Sequence, residues 1–165
     1  MFSLALWQLI NEIAIEKLTE PISNRINQEI EDINISADVT YMNPEVLETL
    51  NLMFQSHLPN EYATCLIGKF KWRENKYFIT NITATRIHQS NVDSVHHVMC
   101  RTDIALHSHP NGVCEMSKRD AFEFGRSVEI VNLKLNCVQC GTGIENIKCW
   151  NPQFQVINLT VGEEK

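Results

Sequence analysis

The sequence predicts a mixed α/β domain, with one central β-sheet flanked by helices and a helical arm in front of it. Three observations lead there. Apolar residues recur four apart within residues 1–36, the row spacing of a helix face. From "DVTYM" onward, short strand-like runs alternate with turn residues. Two longer runs with helix-start chemistry interrupt those strands, so the order reads α-α-β-α-β-β-β-α-β-β-β. At 165 residues the chain suits a single domain with a short appendage. The expected division is a helical extension over 1–36 and a globular domain over 37–165.

In the arm, Leu6, Ile10 and Ile13 form one apolar row, and Leu18, Ile22, Ile26 and Ile30 form another. Pro21 would break the middle of a helix but fits the first turn of a new one, so the arm reads as two helices joined near Thr19–Pro21. Its polar side leaves two uses open: packing on the domain, or self-association into a homo-oligomer. Residues 38–42 read as a short strand. "NPEVLETLNLMFQSHL" reads as a helix with Asn43 as N-cap and Pro44 in the first turn. Val46, Leu47, Leu50, Met53 and Phe54 share its apolar face, and Pro59 stops it. "EYATCLIGKFKW" and "KYFITNITATRI" read as strands joined through "RENK". "VHHVMC" and "DIALHSHP" follow as further strands. "SKRDAFEFGRSVEI" starts as a helix and is expected to pass into a strand near Val128. "LKLNCVQC", "ENIKCWN" and "FQVINLTV" close the chain as short strands, punctuated by Gly141, Gly143 and Pro152.

Composition narrows the function classes. With 44% apolar and 21% charged residues, the chain has ordinary globular make-up and enough length to bury a core unaided. A net charge of −6 and no basic stripe argue against nucleic acid as a partner, because that affinity rests on clustered Lys and Arg. The apolar start "MFSLALWQLINEIAIEKL" lacks a basic leader, and Gln8, Asn11 and Glu12 interrupt it before a membrane span could form. A soluble, cytoplasmic protein is the expectation, and the sequons at Asn34, Asn81 and Asn158 then carry no meaning. Six cysteines (Cys65, Cys100, Cys114, Cys137, Cys140 and Cys149) look too scattered for a disulfide framework. "CVQC" has zinc-knuckle spacing but no second pair beyond it, so partly buried thiols are expected. Pairing of Cys114 with Cys137 or Cys140 stays open.

The stretch "ALHSHPNGVCEMSKRDAF" concentrates the chemistry. Residues two apart on a strand share a face, so His107 and His109 present two imidazoles side by side while Ser108 points away. Ser117 and Asp120, three apart at a helix start, both project from its first turn. They fit a capping box. If that helix faces the strand end, two neutral nitrogens and one carboxylate converge, a donor set that zinc accepts with a fourth position for water. His96 and His97 are adjacent and face opposite ways on a strand, so they cannot act as a pair. Glu74 falls in a turn, Glu115 lies inside the loop of the motif, and His57 and His88 have no evident partners.

The complete string H-S-H-P-x6-S-x-x-D resembles the signature of the JAMM (MPN+) metalloprotease family, with His107, His109, Pro110, Ser117 and Asp120 at the family positions. The resemblance calls for an upstream Glu at the start of a strand, and "LPNEYATCLIGKF" supplies Glu61, with Gly68 seven residues on and Thr64 where the family usually has glycine. Trp150 falls in segments similar to the family's closing strands. The resemblance runs from about Val39 to Val161 and implies a cytidine-deaminase-like MPN fold. It implies Zn²⁺ held by His107, His109 and Asp120, with Glu61 as the general base and Ser117 as the oxyanion donor. Three functions follow as expectations. The first is an isopeptidase acting at the C-terminus of ubiquitin or a ubiquitin-like protein, as in a small prokaryotic-type member. The second is a related hydrolase of another peptide or sulfur-carrier-protein amide. The third is a non-catalytic MPN scaffold, which usually lacks ligands that are all present here.

Overall fold

In the computed structural model of the protein, residues 39–71, 74 and 76–164 are described. The two helices expected within 1–36 lie outside the described residues. Residues 37–165 form one compact unit.

The chain enters through a short strand, β1 (Thr40–Met42), and a helix, α1 (Pro44–His57). Asn43 caps α1 as its residue type predicts, its Oδ1 accepting the Glu45 N–H at 2.9 Å. The helix buries Val46, Leu50 and Phe54 and ends two residues before Pro59. Strands β2 (Ala63–Lys71) and β3 (Lys76–Thr83) pair antiparallel, with a bulge between Ile67 and Gly68. Gly68 is required by close approach: a Cβ there would run into the Tyr77 ring on β3. Next come β4 (Ile87–Ser90), β5 (Val95–His97) and β6 (Ile104–Ser108). These lead to helix α2 (Lys118–Val131), then β7 (Leu135–Gln139), β8 (Ile147–Trp150), β9 (Val156–Ile157) and β10 (Leu159–Val161).

Eight strands form one sheet in the order β10-β1-β3-β2-β6-β7-β8-β9, and β4 and β5 form a separate two-stranded ribbon. The sheet is mixed, as expected. β1 runs parallel to β3 and β10, and β6 runs parallel to β7, while the other pairs are antiparallel. Its centre is covered on both faces. All five residues of β7 are buried, and four of five in β6, the burial expected of strands under helices on both sides. One face carries Cys65, Val138 and Trp150 against Phe124 of α2, with Ala105, Val128 and Val131 packed around them.

That packing explains one departure from the sequence reading. The segment expected to become a strand at Val128 stays helical to Val131, because Phe124, Val128 and Val131 fall four and three apart and all reach the same cluster. Asn132, in the left-handed conformation at φ 56°, then ends the helix, its N–H donating to the Val128 carbonyl. A second departure is the ribbon: "KYFITNITATRI" is not one strand, and Ile87 already belongs to β4.

The cysteines also depart from expectation. Instead of buried thiols there are three disulfides, Cys65–Cys100, Cys114–Cys140 and Cys137–Cys149, with no free cysteine. Residues 12 to 35 apart in sequence become neighbours through the sheet. Cys137 lies directly opposite Cys149 in the β7–β8 ladder. With both cysteines of "CVQC" so engaged, no zinc knuckle forms there.

Candidate metal centre

Three chain ends meet at one edge of the sheet. β6 and β7 run parallel and are joined through α2, so the N-terminus of α2 returns over the C-terminal end of β6. That is where open α/β sheets bind ligands. β2 is antiparallel to β6, with Ala63 opposite His107, so the residues just before β2 arrive at the same edge. Two hydrogen bonds fix this register: the Tyr62 N–H donates to Ser108 Oγ at 2.9 Å, and the Ser108 N–H donates to the Tyr62 carbonyl at 2.9 Å. Ser108 therefore points away from its two histidine neighbours, as the period of a strand requires. His107 shares the face of Ala105, toward α2. The His109 N–H donates to the Gln139 carbonyl at 2.8 Å and extends the pairing one residue past the strand.

The side chains converge. His107 Nε2 and His109 Nε2 lie 3.1 Å apart, and each lies 3.5 Å from one Asp120 carboxylate oxygen. Zinc bonds of about 2.0–2.2 Å in a tetrahedron place neighbouring ligand atoms about 3.3–3.5 Å apart. The donor set and its spacing thus fit a zinc-sized divalent ion, and His107, His109 and Asp120 form a group able to hold one. The orientation of His109 is set from behind, since its Nδ1 lies 2.9 Å from the Val113 carbonyl. A proton on Nδ1 leaves the Nε2 lone pair facing the centre.

Asp120 is held by its own helix start. Ser117 Oγ accepts the Asp120 N–H at 3.1 Å and the Ser117 N–H donates to Asp120 Oδ2 at 2.7 Å, a complete capping box. The capping bond uses an Oγ lone pair and not the hydroxyl proton, which the Asp120 carboxylate also attracts. Burial opposes the Asp120 charge, but hydrogen bonds from His107, His109 and Ser117 outweigh it and hold the carboxyl well below its ordinary value of 3.8.

Glu61 lines the same cleft and is only 7% exposed. Burial raises its pKa above the ordinary 4.5, partly offset by His109 and His107, while Asp120 and Asp93 push it further up. Its backbone is tied to the ribbon. The Glu61 N–H donates to the Asn91 carbonyl at 2.7 Å, and Ser90 Oγ donates to the Glu61 carbonyl. Asn91 in turn organises the turn between β4 and β5 through Oδ1, which accepts from the Asp93 and Ser94 N–H groups at 2.9 Å. The ribbon therefore positions Glu61 and also walls the cleft, which has a volume of about 390 Å³.

All five residues singled out in the sequence, Glu61, His107, His109, Ser117 and Asp120, line this one cleft. The weaker candidates do not join the ligand group. Glu115 pairs with Lys148, Glu74 lies near Lys71 and Lys76, and the His57 ring meets the Met53 carbonyl. Cys114 is bonded to Cys140 and is no ligand. Sequence reasoning missed Ser90, Asn91 and the Val113 carbonyl, which act through backbone bonds that no residue pattern announces.

No protein-family profile matches the sequence, and no curated protein matches it. Solved structures do match. One was described as JAMM, a metalloprotease-like zinc site in the proteasome and signalosome: TM-score 0.52, 20% identity, covering 76% of this chain and 99% of that one. A second is a JAB1/MPN domain protein from Archaeoglobus fulgidus, also at 0.52 and 20%, over 74% of this chain and 99% of that one. The chain has the JAB1/MPN fold. A third neighbour, a protein from Desulfitobacterium hafniense, superposes at 0.52 with 13% identity over 76% of this chain and 94% of that one. In this chain of JAB1/MPN fold the two imidazoles come from the end of β6 and just past it, and the carboxylate from the first turn of α2. The glutamate comes from the residue two before β2.

Proposed function

We propose that the protein is a JAMM-type metal-dependent amide hydrolase. The observation that carries this is the convergence of His107 Nε2, His109 Nε2 and the Asp120 carboxylate, in one cleft with a buried glutamate. Zinc bound there would act as a Lewis acid and bring the pKa of a water down toward ~7. Glu61 takes a proton from the attacking water and passes it to the leaving amine as the C–N bond breaks. Its raised pKa suits a group that must both accept and return a proton. Ser117 would turn its hydroxyl proton from the Asp120 carboxylate to the carbonyl oxygen as negative charge develops there. The products are a carboxylate and a free amine, and water is the only co-reactant.

The substrate class that the sequence resemblance suggests is an amide at the C-terminus of ubiquitin or a ubiquitin-like modifier, with other peptide or sulfur-carrier-protein amides as the alternative. The complete ligand set speaks against a non-catalytic scaffold. No helix among the described residues is long and apolar enough to cross a membrane. A cytoplasmic location requires an interior that tolerates three disulfides, as in hyperthermophiles; otherwise an oxidising compartment suits the chain better.

The test is a panel of ubiquitin-like fusions and small peptide amides, offered to wild type and Glu61→Gln with zinc content measured in both. Glu61→Gln should bind zinc normally and lose at least about 100-fold in kcat. Equal turnover by the two proteins would overturn the mechanism, and a wild type that takes up no zinc would overturn the reading as a whole.

A further inference from the structure

Among the described residues, the cleft holds one guanidinium that no carboxylate pairs. Arg119 lies between Ser117 and Asp120 in the first turn of α2, exposed, and lines the cleft beside Glu61, Asp93 and Glu123. Among the described residues no carboxylate lies within ion-pairing distance of its guanidinium. Glu123, one helical turn on and the natural i,i+4 partner, lies instead 3.6 Å from Arg126. What Arg119 does touch is an imidazole across the cleft. Its Nη2 lies 3.3 Å from His96 Nδ1 and 3.4 Å from His96 Nε2, on β5 of the ribbon. An imidazole can orient a guanidinium but cannot balance it as a carboxylate would. The head group is thus spanned between α2 and the ribbon with its donors available to a ligand.

A guanidinium presents a planar fork that matches a carboxylate two bonds at a time. The four carboxylates of the cleft, Glu61, Asp93, Asp120 and Glu123, work against an anionic substrate, and Arg119 on the α2 side favours one. We propose that Arg119 binds a carboxylate carried by the leaving amine, so that the substrate is a chain-terminal amide whose amine side is a free amino acid or short peptide. A lysine side chain of a folded protein, which carries no nearby carboxylate, would leave Arg119 unused. This rests on the hydrolase reading and narrows it: water adds to the carbonyl carbon, the C–N bond breaks, and the amine departs with its own carboxylate still held by Arg119.

The probe is a library of randomised N-acetylated pentapeptides ending in a free carboxylate, beside the same library ending in a carboxamide. Hydrolysis by zinc-loaded wild type is read by mass spectrometry. Binding is read at equilibrium on zinc-loaded Glu61→Gln, with and without Arg119→Gln. The free-acid library should be preferred by about tenfold or more in both readouts, and Arg119→Gln should bring that ratio to within about twofold of one. Arg119→Lys, which keeps charge but not the fork, should fall between. A preference that survives Arg119→Gln would mean that the carboxylate binds elsewhere, for instance on the metal, and would overturn the proposal. So would equal handling of the two libraries, neither library being bound or cut, or an equal loss on both in Arg119→Gln. Zinc content, measured on each protein, separates these outcomes from failure of the hydrolase reading, which a zinc-free wild type would show.

Discussion

At His109, burial and hydrogen bonding pull the imidazole in opposite directions, and hydrogen bonding wins. The Asp120 carboxylate favours the charged ring, burial disfavours it, and the Val113 carbonyl adds to the first, so the pKa rises above its ordinary 6.5. A group with a raised folded-state pKa stabilises the fold fully below its unfolded value and loses that contribution as pH rises through the folded value. Glu61, raised by burial, has the same sign, beginning from 4.5. Asp120, depressed, contributes above 3.8 and is constant near neutrality. His97, lowered by burial, has the opposite sign and acts below its unfolded 6.5, so the metal-free protein is expected to lose stability as pH rises above 6.5. Zinc needs the neutral ring, so its stabilising effect should grow over the same interval. Thermal unfolding with and without zinc at about pH 7 and about pH 8 checks both signs, and a zinc-induced shift that shrinks with rising pH would count against this assignment. In the metal-free protein, Asp120→Asn should bring the His109 titration, followed by NMR, back down, because burial is then the larger remaining influence.

The first turn of α2 carries structure and chemistry in the same residues, and the two can be separated by substitution. Ser117 caps the helix through Oγ, and the cap does not use its hydroxyl proton. Ser117→Ala removes both and should cost about 1 kcal/mol of stability together with about 100-fold or more in kcat. Ser117→Gly keeps an acceptable N-cap and should cost only a few tenths of a kcal/mol, yet lose kcat to a similar degree. Denaturation midpoints and kcat measured on both variants decide between a capping role and a catalytic one. If kcat follows stability, falling in Ser117→Ala and recovering in Ser117→Gly, the hydroxyl acts only as a cap. The ribbon of β4 and β5 offers the complementary case of an element that acts at a distance. It holds Glu61 by its backbone through Ser90 and Asn91 and walls the cleft with Val95, His96 and His97, so its effect on the proposed catalysis would run through the placement of other groups.

Across the whole molecule, the features legible in the sequence were those with a local period. His-x-His on one strand face and Ser-x-x-Asp in one helical turn declare themselves within four residues, as does the Asn43–Pro44 start of α1. Glu61 is 46 positions from His107, and only the β2–β6 register brings them together. No pattern in the residues around Glu61 encodes that register, so it was reached through family resemblance. The Cys65–Cys100 and Cys137–Cys149 disulfides were illegible for the same reason, since only the sheet makes their partners neighbours, whereas Cys114–Cys140 is one of the two pairings that the sequence left open. Cys114–Cys140 bears most directly on function. It ties the loop between His109 and Ser117 to the residue after β7, next to Val113, whose carbonyl orients His109. Breaking it by Cys114→Ser with Cys140→Ser releases a loop closed over a sequence separation of 26, expected to cost about 3.5 kcal/mol. It also frees a hydrogen-bond partner of His109, a proposed metal ligand, a change expected to weaken zinc binding by about 10–100-fold. Cys137→Ala with Cys149→Ala should lower stability but leave zinc affinity within about twofold, because that disulfide joins two paired strands and not the loop. Zinc competition titrations and denaturation curves on the two double variants give the comparison. Equal zinc affinities would show that the His109 loop holds its shape without the tether.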